Sequence, residues 1–146
     1  MNLSELKLVK FQYLLNPDEV DDFLATNMTK KQREWAQKVS ETVPSDSSSE
    51  DSGKAWDVFL ADEDMLKQIE KFIKEIGLSF HKIDLSEEYC KNEGIADSIL
   101  QNKIRRFLET NYSIDYILDR INEVGIKNLN VFENFYLEKY GGKQEE

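Results

Sequence analysis

Apolar residues recur along the chain with two different periods, and the period changes where glycines, prolines and capping residues fall. The clearest run is Met65, Leu66, Ile69, Phe72, Ile73 and Ile76, which places six apolar side chains on one helical face. Asp62 precedes it as an N-cap, and Gly77 follows it as the residue best able to turn left-handed. On either side, WDVFLA (56–61) and LSFHKIDL (78–85) are apolar and β-prone. Residues 55–85 therefore read as a strand–helix–strand unit. A right-handed crossover joining two parallel strands is one topology that fits it.

The segment around 5–15 is read as a further strand. Asn16-Pro17 then opens a short helix with Val20, Phe23 and Leu24 inward and Asp18-Glu19 at its positive end. Thr29 and Gln32 have capping-box spacing and start a second helix carrying Trp35, Ala36 and Val39. VPSDSSSEDSG (43–53) has too little apolar surface to offset ordering, so a flexible acidic Ser-rich loop or linker is expected there. Ser47 and Ser48 each have an acid three residues on, the spacing of an acid-directed kinase site, but a solvated loop accounts for the same composition.

The last third is helical in pattern. Ile95, Ile99, Leu100, Ile104, Phe107 and Leu108 mark one amphipathic face. Ser113 caps a helix with Ile114, Ile117, Leu118 and Ile121 that stops at Gly125, and Asn130 with Glu133 caps another. Together 113–140 read as a C-terminal helical hairpin, with fraying expected after Gly141-Gly142. The fold class expected is α+β, mostly helical, in a single domain over 1–146. Its small sheet, of two or three strands, is built around 55–85, with a C-terminal helical bundle or hairpin.

Residues 115–137, DYILDRINEVGIKNLNVFENFYL, carry Asp115, Ile117, Leu118, Asp119, Ile121, Gly125, Leu129, Glu133 and Leu137 at the positions of a recurring pattern. The stretch resembles the short helical hairpin at the soluble C-terminus of some bacterial rhomboid-like membrane proteins and of other small bacterial proteins. The chain departs from that pattern at Arg120, Asn128, Asn130, Asn134 and Tyr136. The resemblance implies a bacterial origin. It carries no catalytic role, because rhomboid chemistry sits in membrane helices.

Charge narrows the partners. The 146 residues include 29 acids against 19 Lys and Arg, a formal net charge of −10. Such a surface repels a phosphate backbone, so no nucleic-acid partner is expected, and a basic protein is the partner that charge would favour. No apolar run reaches the roughly 20 residues of a membrane span, and the N-terminus lacks a secretory layout, so no membrane association and a cytoplasmic location are expected. The oligomeric state is left open.

Candidate chemistry is sparse. His81 is the only histidine and Cys90 the only cysteine, nine residues apart. A Cys-His dyad needs its base beside its nucleophile, but an ordinary strand histidine and a small filler or exposed thiol are the stronger readings of the two. Two such ligands fall short of a structural zinc site. Neither phosphate-loop pattern occurs, and the acidic runs lack EF-hand spacing. Lys103, Arg105 and Arg106 are the one basic cluster, read as a solvated helix face. No catalytic, cofactor-binding or metal-ligating residue is therefore assigned, and no cofactor is expected. The expected function is a non-enzymatic protein-interaction or regulatory role. One alternative is an immunity or inhibitor protein covering a basic active site. Another is a small enzyme with an acid/Tyr cleft drawing on Asp57, Asp84, His81 and Tyr89.

Overall fold

The computed structural model describes residues 1–141, and the expected fraying after Gly141-Gly142 lies outside them. β1 (Lys7–Tyr13) is followed by α1 (Pro17–Asn27), α2 (Lys30–Thr42), β2 (Ser45–Ser49) and β3 (Ala55–Ala61). Then come α3 (Glu63–Ile76), β4 (Phe80–Asp84), α4 (Ser86–Lys91), α5 (Ser98–Asn111), α6 (Ile114–Val124) and α7 (Val131–Tyr140). The fold is α+β. Among the described residues, no helix is long and apolar enough to cross a membrane.

One antiparallel sheet has the order β2-β3-β1-β4. β3 and β4 both run antiparallel to β1, so they are parallel to each other, as the strand–helix–strand reading allows. They are not neighbours, because β1 lies between them. The sheet thus has four strands rather than two or three. β1 is buried along one face and at the Leu8 end of the other. Leu8 points to one side, and Val9, Phe11 and Tyr13 line the other. From Val9 to Tyr13 the strand alternates buried apolar with half-buried polar residues, and Leu8 is the one that breaks the alternation.

α1, α2 and α3 cover the Phe11 face, and α4 to α7 cover the Leu8 face, giving two apolar layers on one sheet. The helix ends follow the sequence closely. Asn16, Thr29 and Asn130 each close a full capping box, and Asp62 accepts from the Met65 amide at 2.9 Å. Gly77 ends α3 at φ 90°, a conformation that disfavours any side chain with a Cβ.

Two expectations differ from the structure. Within the expected loop at 43–53, Ser45–Ser49 form β2, paired from Ser45↔Phe59 to Ser49↔Ala55. The hairpin turn closes through Glu50 N–H to the Lys54 carbonyl at 2.8 Å and Gly53 N–H to the Glu50 carbonyl at 2.8 Å. The ladder is made by backbone groups, and an edge strand tolerates serines that no core position would. The amphipathic face expected from Ile95 also begins late. Ile95 sits in a 3-10 turn and is 44% exposed, Ile99 is 61% exposed, and the buried stripe is Leu100, Ile104 and Leu108. Ahead of it, α4 was not legible as a separate helix, yet it delivers the fully buried Tyr89 to the core.

Candidate functional site

The sheet row through Ser47, Asp57 and Phe11 faces α1–α3. Tyr13 is two residues beyond Phe11 on the same face, so its ring reaches diagonally across the sheet to β3. There its hydroxyl donates to Asp57 Oδ2 at 2.6 Å, and the Ser47 hydroxyl donates to Asp57 Oδ1. Above this trio the helices do not close completely. A cavity of about 200 Å³ remains, with Asp57 at its floor, Trp35 and Phe72 in its walls, and Leu24 and Met28 of the α1 end at its rim. The two wall rings pack with centroids 4.9 Å apart.

The electrostatics of the floor are unusual for so apolar a cavity. Burial lifts the Asp57 carboxyl above its ordinary range, the Ser47 and Tyr13 donors pull it back down, and the charge of Asp21 on α1 raises it again. Tyr13 is held neutral far into the alkaline range by burial first, then by the Asp57 charge and the hydrogen bond to it. Its hydroxyl is therefore a fixed donor and not a base. Among the described residues, no Lys, Arg or His lines the cavity.

Sequence reasoning named Asp57 but missed Tyr13 and Ser47. The polar serine run was the available signal, because an Asp in an otherwise apolar strand needs donors from its neighbours. The structure does not gather the four residues proposed for an acid/Tyr cleft. Asp57 lies in this cavity, and Asp84 lies with Lys7, Glu63 and Lys82 in a separate one of about 300 Å³. His81 is exposed on β4, and Tyr89 is buried in the opposite layer. Among the described residues, no group of three His, Cys, Asp or Glu side chains is placed to hold a metal ion.

His81 and Cys90 are not joined by a hydrogen bond. The Cys90 sulfur lies 3.9 Å from the Val131 carbonyl oxygen. Burial, with Glu138 and Glu93 adding to it, pushes the thiol up to about 12. An activated nucleophile would be shifted the other way. Alkylation by iodoacetamide at pH 8 should accordingly be at least about a hundredfold slower in the folded protein than in urea, where a free thiol titrates near 8.5. Equal rates would show that Cys90 is a reactive, accessible thiolate.

The acids of α1 form the other notable feature. Asp18, Glu19, Asp21 and Asp22 are all exposed, and the helix contains no Lys or Arg. Among the described residues, no ion pair reaches any of the four, whereas Glu50, Glu63, Glu70, Glu93 and Glu133 are each matched by a cation. Comparison with known proteins adds nothing to this picture: no protein-family model, curated protein or solved structure matches the chain.

Proposed function

We propose that the protein is a non-enzymatic protein-interaction or regulatory protein of a bacterial cytoplasm, and that α1 is the face that meets a basic protein partner. The observation that carries this reading is the uncompensated charge of α1, four exposed carboxylates in eleven residues. Excess carboxylates accelerate encounter with a basic surface and set its orientation. An immunity or inhibitor protein that covers a basic active site is one concrete form of this role. A catalytic reading draws on the Tyr13–Asp57 hydrogen bond. A phenol locked as a donor to a carboxylate favours holding a ligand over moving a proton.

Salt and charge reversal test the reading. Capture of a partner from the native host should be strongest at low salt and weaken as the Debye length falls to about 10 Å at 0.1 M. Reversing all four α1 acids to lysine should abolish capture. Reversing Glu87, Glu88, Asp115 and Asp119, which are equally exposed on α4 and α6, should leave it. Equal loss from both sets, or capture indifferent to salt, would reduce the α1 charge to a solubilising role.

A further inference from the structure

The cavity above Asp57 has walls and floor of opposite chemistry. Its walls are aromatic and aliphatic, and its floor is one carboxyl group with two hydroxyl donors. A carboxylate offers about four acceptor positions, so two hydrogen bonds leave capacity for a further donor. The space of about 200 Å³ equals that of roughly six or seven waters at about 30 Å³ each, and it suits a ligand of about ten heavy atoms or fewer.

Charge decides which ligands fit. An ionised carboxyl in an apolar cavity is costly without a cation beside it, and among the described residues the lining supplies none. Asp21 adds a second negative charge close enough to act on Asp57. An anionic ligand would meet both, whereas an ammonium group would offset both. The Trp35 and Phe72 rings would meanwhile face an apolar body.

We propose that this cavity is a binding site for a compact ammonium ligand with an aromatic or branched aliphatic body, its nitrogen on Asp57 and its apolar part against Trp35 and Phe72. The site is separate from the exposed acids proposed to meet a protein partner, and it stands or falls independently of that reading.

Phenethylamine, a cation at neutral pH, and phenylacetate, an anion with the same ring and within the same size limit, are the probes. Each is titrated into the full chain at pH 7 and followed by calorimetry. The amine should saturate, and it should bind at least about tenfold more tightly than the acid. Asp57→Asn should weaken the amine by about tenfold or more. Ala36→Phe, which adds bulk to the cavity from its α2 lining, should remove binding while the melting temperature is kept or raised. Should Asp57→Asn unfold the chain, Ala36→Phe and the amine-to-acid ratio still decide. Amine that fails to saturate in the millimolar range would overturn the proposal. So would an acid that binds as well as the amine, or binding that survives Ala36→Phe.

Discussion

Replacing Glu133 by alanine is expected to destabilise the protein by about 3–5 kcal/mol, the cost of breaking a buried ion pair from one side. Glu133 is fully buried. Its Oε2 accepts from Arg120 Nε at 2.8 Å and from the Tyr116 hydroxyl at 3.0 Å, and its Oε1 accepts from the Asn130 amide at 2.9 Å. Truncation would strand a guanidinium that is itself mostly covered and remove half of the capping box of α7. Glu133→Gln should cost less, because it keeps one of the two acceptor oxygens, although its amide nitrogen only donates and the charge is lost. The double variant Glu133→Leu/Arg120→Met should recover much of the loss, since the only charge it leaves unpaired is that of the exposed Glu123. Urea unfolding at pH 7 measures all three. A loss below about 1 kcal/mol for the alanine variant would mean that water reaches Arg120 freely and the pair is no more than a surface bridge.

This cluster also marks where sequence reasoning reached its limit. Asn130 and Glu133 were legible as a capping box because that motif is local, with both partners three residues apart. The same carboxylate's contacts with Tyr116 and Arg120 depend on how α6 packs against α7, which no spacing encodes. The helix ends at Asp62, Gly77, Ser113 and Gly125 were legible for the local reason too. β2 was not. Its serines say nothing of strand structure, and only the tertiary fact that β3 offers an open edge makes them pair. The candidate cavity followed the same rule. Asp57 was named only among four residues of an alternative cleft, and its partners Tyr13 and Ser47 lie 44 and 10 residues away in sequence.

The second large effect should come from Phe11→Ala, with a loss of about 3–5 kcal/mol for a fully buried phenylalanine. Phe11 has no exposed surface. It meets Phe59 and Phe80 edge-on, at centroid distances of 5.9 and 5.3 Å, so its removal opens a void in the centre of the α1–α3 layer. The test gains force from the placement of the two tryptophans. Trp35 packs in the Phe11 layer and Trp56 against the opposite one. Single-tryptophan proteins carrying Trp35→Phe or Trp56→Phe therefore report one face of the sheet each. β1 contributes side chains to both layers, so neither layer keeps its floor if β1 leaves the sheet. Phe11→Ala should then lower the urea midpoint seen by Trp56 as much as that seen by Trp35, with coincident transitions. The same coincidence is expected for Leu60→Ala, which opens the other face. Transitions that separate, with the Trp56 midpoint unmoved by Phe11→Ala, would show that the α4–α7 layer holds its part of the sheet on its own.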